Sequence, residues 1–316
     1  MKGQMFVPQR VEICEVGLRD GLQNEKRIVS VEEKLDLLGA IVASGVKIVE
    51  IGSFVHPKAV PQMANTGEAA KRMKRVDGVE YRVLVPNLKG MERALDAGIT
   101  KVKLTVSVSD SHCINNFNQT TLEMIEGFRP CVEFAAKNDM TVSGAMSSAW
   151  GCAFEGKIPL SRIESITNAL LDLGIRELSL SDATGMANPR LIYAVCSHML
   201  ETRPQVRWIL HLHNTRGMAL ACVTAALQAG ITIFDGAFAG FGGCPFIPGA
   251  AGNVATEDLV HMLHEMGITT DVDVLKAMQT ARLAETVLGH QADEYLLRAG
   301  RCEDLTAQKA RRQNNS

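Results

Sequence analysis

Strand-like and helix-like segments alternate along almost the whole chain, and this alternation constrains the fold more than any other feature. Short β-branched and apolar runs lie at 11–17, 47–54, 81–85, 101–108, 141–149, 176–180, 207–213 and 232–238. Each precedes a stretch of helical periodicity, at 31–44, from about 65, and at 88–97, 121–137, 161–173, 189–201, 218–229 and 253–266. Gly45, Gly98, Gly174 and Gly230 stand just before the following strand, where a left-handed residue closes a helix. Eight such units in about 250 residues predict a single α/β (β/α)8 (TIM) barrel. A doubly wound open sheet is the rival, but it carries a glycine-rich phosphate turn after its first strand. Here the first strand runs into Leu18-Arg19-Asp20-Gly21, which is no such turn. Residues 1–270 are thus expected to form the barrel, and 271–316 a helical extension packed on it.

The formal net charge of −2 gives no basic footprint for nucleic acid or an anionic membrane. No apolar run reaches the roughly 20 residues that span a bilayer. The N-terminal segment Met1-Lys2-Gly3-Gln4-Met5-Phe6-Val7-Pro8 lacks the apolar stretch of a signal peptide, so a cytoplasmic location is expected. The eight cysteines form no CxxC pair and read mostly as reduced, small core residues.

In a barrel, chemistry gathers where the strands end at their C-terminal side. His211 and His213 are two apart at the end of the seventh strand and share one face, as two ligands of one divalent ion would. Their other reading is a pair of ordinary core histidines. Asp20 follows strand one, and with the imidazoles makes a mixed N/O set that leaves positions open for substrate; alone, Asp20-Gly21 is a common turn. Arg19 is placed to hold an oxygen as negative charge develops, or to bridge to Glu15 or Glu50. Glu50 interrupts an apolar strand and needs a cationic partner. Ser53 ends the same strand, and Asp182 follows strand six. The glycine- and proline-rich segment 240–252 suits a closing loop, with Cys244 in its middle.

With these residues in place, the chain resembles the 3-hydroxy-3-methylglutaryl-CoA lyase family. The matching pieces are Glu15-Val16-Gly17-Leu18-Arg19-Asp20-Gly21-Leu22-Gln23-Asn24-Glu25-Lys26, Ser53-Phe54-Val55-His56-Pro57-Lys58 and Val85-Pro86-Asn87-Leu88-Lys89-Gly90. Gly243-Cys244-Pro245-Phe246 and Gly249-Ala250-Ala251-Gly252-Asn253-Val254-Ala255-Thr256-Glu257-Asp258-Leu259 complete the set. The resemblance implies Mg or Mn held by Asp20, His211, His213 and Asn253, with Arg19 on an enolate oxygen and Cys244 in proton transfer. It implies further roles for Glu50, Asp182 and His211 in catalysis and for Gln23 and Ser53 beside the substrate. An acyl-CoA substrate and a homodimer follow from the same source. The implied reaction is retro-aldol (Claisen-type) cleavage of hydroxymethylglutaryl-CoA to acetyl-CoA and acetoacetate. Leu18, Leu212, Asn214 and Arg216 depart from the usual family residues, as do Ala183 and the segment 107–113. A related substrate such as citramalyl-CoA is therefore an alternative. An isopropylmalate-synthase-like condensing enzyme is a further one, opposed by the short C-terminal region. Arg216 or His112 would be the reader of a different substrate carboxylate.

Overall fold

In the computed structural model, which describes residues 5–243, 251–292 and 294–305, eight parallel strands close into a barrel in sequence order. They are β1 (Glu12–Glu15), β2 (Ile48–Ser53), β3 (Glu80–Leu84), β4 (Lys101–Ser107), β5 (Thr141–Ser147), β6 (Glu177–Asp182), β7 (Arg207–Leu212) and β8 (Ile233–Gly236). Every strand-like run of the sequence overlaps one of them, although β6 runs on to Asp182, which is its last residue and not the one after it. The barrel closes where β1 pairs with β8, from Glu12 opposite Ile233 to Glu15 opposite Gly236.

The helices are α1 (Val31–Ala43), α2 (Thr66–Arg72), α3 (Leu88–Asp96), α4 (Asp110–Phe117), α5 (Thr121–Glu126), α6 (Arg129–Lys137), α7 (Leu160–Asp172), α8 (Pro189–Thr202), α9 (Ala219–Ala229), α10 (Thr256–Glu265), α11 (Val274–Leu288) and α12 (Leu296–Ala299). Gly45, Gly98, Gly174 and Gly230 all have positive φ, as their role as helix stops requires. The single helix expected over 121–137 is two. Pro130 has no N–H to continue a helix from α5 and sits instead in the first turn of α6. A further short helix, α4, follows β4, with Ser109 accepting a hydrogen bond from the His112 amide at 3.1 Å. The helix expected from 253 begins at Thr256, because Asn253 and Ala255 are used in bridges to His213 and Ala237. After the barrel, α11 packs along α1 and α10, and α12 lies against both α10 and α11.

Alternation along each strand separates two different interiors. Outward residues such as Val49, Val83, Leu104, Leu178, Trp208 and Phe234 join the apolar layer between sheet and helices. Many inward positions are ionic, and Glu50, Arg82, Lys103, Glu177, His211 and Asp235 are all buried, with Cys14 and Ile48 in a small apolar cluster beside them. Arg82 pairs with Glu80 and with Glu177, the latter at 3.1 Å, and Lys101 and Arg207 also reach Glu177 at 3.2 and 2.9 Å. Ion pairs therefore hold much of the barrel axis, and the main apolar core surrounds it.

Candidate active site

The loop after β1 is one wide helical turn, Gly17–Gly21, in which the amides of Arg19, Asp20 and Gly21 all donate to the Val16 carbonyl. Only glycine fits at position 17, since a Cβ there would lie 2.4 Å from the Phe238 ring. Glu15 braces both loops at this seam: its carboxylate accepts from the amides of Gly17 (2.7 Å) and Phe238 (3.1 Å) and from the Thr256 hydroxyl (2.6 Å). The turn aims Arg19 and Asp20 over the top of the barrel axis.

Asp20 meets the two histidines there. His213 Nε2 lies 3.2 Å from Asp20 Oδ2 and 3.1 Å from His211 Nε2, and His211 Nε2 is 3.7 Å from the same oxygen. Asn253 Nδ2 donates to Asp20 Oδ2 at 2.9 Å, and Gln23 Nε2 donates to Oδ1 at 3.1 Å. Asn253 arrives by an antiparallel bridge to His213. The four residues expected as metal ligands are thus adjacent, all buried, and drawn from the end of β7 and the segments after β1, β7 and β8.

A second layer lies below them. Asp235 Oδ2 is 3.0 Å from His211 Nδ1, so the ring donates from Nδ1 and its Nε2 lone pair faces Asp20 and His213. Lys103 Nζ lies 3.7 Å from Asp235 Oδ2 and bonds Glu50, which also takes Arg19 Nε; Arg19 Nη1 bonds Asp20. Of its two expected salt-bridge partners, Arg19 therefore has Glu50 and not Glu15. Burial opposes the ionisation of Asp20, but Arg19 and the imidazoles outweigh it and hold its pKa well below the usual range. Burial opposes ionisation of Asp235 likewise, and Lys103 and His211 hold it down. Glu50 is held below its ordinary value by Arg19 and Lys103 despite complete burial.

The remaining expected residues stand apart from this cluster. Asp182 accepts from Thr184 N and Oγ1, Met186 N and Ala187 N, so its carboxylate is held by its own loop. These bonds fix the carboxylate at the end of β6, beside the loop that follows it. Ser53 is buried at the end of β2, where its Oγ accepts from the Val55 amide at 3.2 Å. Arg216 donates to the Thr184 carbonyl, which ties the loops after β6 and β7 together. Cys244 lies outside the described residues. Lys103 and Asp235 went unread in the sequence; the barrel register, which turns 101, 103 and 105 inward, is the signal that finds them.

The donor set fits a divalent ion. Asn253 Oδ1 is buried without a hydrogen-bond partner among the described residues. An octahedral ion with ligands at about 2.1 Å separates neighbouring donors by about 3.0 Å, close to the 3.1 Å between the two Nε2 atoms.

Residues 10–284 match the HMGL-like family model. The chain belongs to the HMGL-like family. The hydroxymethylglutaryl-CoA lyase of Bacillus subtilis (strain 168) is 40% identical over 285 residues, 90% of this chain and 95% of that one. The human mitochondrial hydroxymethylglutaryl-CoA lyase is 38% identical over 93% of this chain and 90% of its own. An HMG-CoA lyase from Acinetobacter baumannii, solved with coenzyme A and 3-methylmalate, superposes with a TM-score of 0.89 at 39% identity, covering 94% of this chain and 97% of that one. Similarity to these lyases over nearly the whole chain makes this HMGL-like protein a lyase, and it carries a candidate divalent-metal site. Among the described residues, no helix is long and apolar enough to cross a membrane.

Proposed function

We propose that the chain cleaves 3-hydroxy-3-methylglutaryl-CoA to acetyl-CoA and acetoacetate with a bound Mg or Mn ion. The observation that carries this reading is the convergence of Asp20, His211, His213 and Asn253 beside Arg19 in a chain this similar to hydroxymethylglutaryl-CoA lyases. Asp20, His211, His213 and Asn253 would hold the ion. When bound, it supplies Lewis-acid polarisation of the substrate's hydroxyl and carboxylate oxygens.

The protein's own groups do the rest. Transfer of the 3-hydroxyl proton to a base, directly to Asp182 or through water, lets the C–C bond break, releasing the ketone and leaving a thioester enolate. Arg19 Nε and Nη1 are committed to Glu50 and Asp20, which fixes the guanidinium and leaves Nη2 to donate to the enolate oxygen. Lys103 and Glu50 keep that guanidinium in place from beneath. Protonation of the enolate carbon then gives acetyl-CoA, and we assign that proton to Cys244, as the family resemblance implies. Asp182 supports the loop after β6, and Gln23 orients Asp20.

The test is coupled detection of acetyl-CoA from hydroxymethylglutaryl-CoA with Mg or Mn, then with EDTA. Release that EDTA abolishes is the expected result. Absence of release by a protein that binds Mn, with cleavage of citramalyl-CoA instead, would overturn the substrate and keep the reaction class.

A further inference from the structure

Among the described residues, one other group of side chains gathers metal-binding atoms, and it lies outside the barrel. His261 and Glu265 are four apart on α10, so they share one face a turn apart. Cys302 comes from the segment after α12, and its Sγ lies 3.6 Å from His261 Nε2. One donor atom from each of the three falls within 4.8 Å of the others.

Cys302 is held over α10 by contacts independent of any ion. The amides of Tyr295 and Leu296 donate to the Asp258 carboxylate at 3.2 and 2.8 Å, which anchors the start of α12 to α10. Arg301 is fixed to Asp304 through its amide at 2.9 Å and its guanidinium at 2.8 Å. The chemistry of the set is specific. A thiolate, an imidazole and a carboxylate from two separate elements suit a borderline-soft cation, not Mg or Ca. Zinc–sulfur and zinc–nitrogen bonds of about 2.3 and 2.05 Å at a tetrahedral angle put the two donors about 3.6 Å apart. The sulfur and nitrogen stand at that separation with no rearrangement.

We propose that His261, Glu265 and Cys302 form a second cation site, for a zinc-like divalent ion, that pins the C-terminal segment to α10. Binding releases the Cys302 thiol proton to solvent, the imidazole binds through its neutral Nε2, and the fourth position is left to water. The site is distinct in ligand chemistry from the one at the barrel mouth, whose described ligands are oxygen and nitrogen. The competing account of the 3.6 Å contact is a thiol–imidazole hydrogen bond, which needs no ion.

The deciding experiment uses the full chain and Co2+ alone as the optical probe, with Zn2+ as competitor. A thiolate-to-cobalt charge-transfer band in the near ultraviolet is expected. It should survive Cys244→Ser, vanish in Cys302→Ser and be displaced by Zn2+ but not by excess Mg2+. His261→Gln, at a partly exposed position, should weaken Co2+ binding at least tenfold with an unchanged circular dichroism spectrum. In parallel, Zn2+ should slow modification of Cys302 by a thiol reagent about tenfold or more, and His261→Gln should remove that protection. No band in the wild-type chain, a band that persists in Cys302→Ser, or equal modification rates with and without Zn2+ would each overturn the proposal.

Discussion

Replacing Lys103 by Met tests the ionic interior of the barrel and its link to the site. The ammonium is buried on β4, bonded to Glu50 and 3.7 Å from Asp235, and its side chain is 3% exposed. At an effective dielectric of 20, one charge pair at that distance is worth about 4 kcal/mol, most of which offsets desolvation. Met fills nearly the same volume, so packing changes little and the two carboxylates are left short of a cation. Removing one partner of a buried pair costs about 3–5 kcal/mol, which urea unfolding should show as a lowered midpoint with unchanged slope. The effect should also reach the metal. Without Lys103, Asp235 takes up a proton more readily and no longer fixes the His211 tautomer, so Mn affinity should fall about 10–100-fold. Lys101→Met is the control: it lies two residues earlier on the same face, is 15% exposed and pairs with Glu177, and it should leave Mn affinity intact. A Lys103→Met protein that loses less than about 1 kcal/mol and binds Mn normally would refute the argument, because the buried pair would then be contributing nothing.

Three other perturbations follow from the same geometry. Gly242 has φ +121, and a Cβ there would sit 2.5 Å from Asn253 Nδ2, so Gly242→Ala should lower Mn affinity at least tenfold by calorimetry; wild-type affinity would show that Asn253 is dispensable. Asp182→Asn turns an amide N–H2 toward backbone donors and should cost about 1–3 kcal/mol in urea unfolding, whereas a role confined to proton transfer would leave stability unchanged. Burial pushes Glu294 up to about 7, and neighbouring Glu257 is raised as well. Because the folded state holds the Glu294 proton more tightly, its contribution is complete below the unfolded value of about 4.3 and is lost as pH rises through 7. The melting temperature should therefore fall between pH 5 and 8 and fall less in Glu294→Gln; equal slopes would assign the change to other groups.

The barrel could be read in the sequence because each unit carries its own signals, namely a β-branched run, a periodic helix and often a terminal glycine such as Gly98 or Gly230. The cluster of Asp20, His211 and His213 could be read as well, since all three fall at strand ends. Lys103, Asp235 and Arg82 could not, because a charged residue alternating with Val or Leu looks like the solvent face of a strand. Only closure of the sheet turns that face inward. The break between α5 and α6 was marked by Pro130. The late start of α10 depends on the bridge from Asn253 to His213, a contact between residues 40 apart in sequence, which local pattern does not encode.

The span between Asp20 and Asn253, 233 residues that meet at one carboxylate oxygen, has a consequence for how the protein is made. The first ligand leaves the ribosome early and the last only after all eight strands have been synthesised. A nascent or truncated chain ending before β7 carries Asp20 with no imidazole beside it and cannot assemble the cluster. Assembly of the cluster therefore waits for synthesis past Asn253, and fragments interrupted before β7 should bind no Mn and be inert.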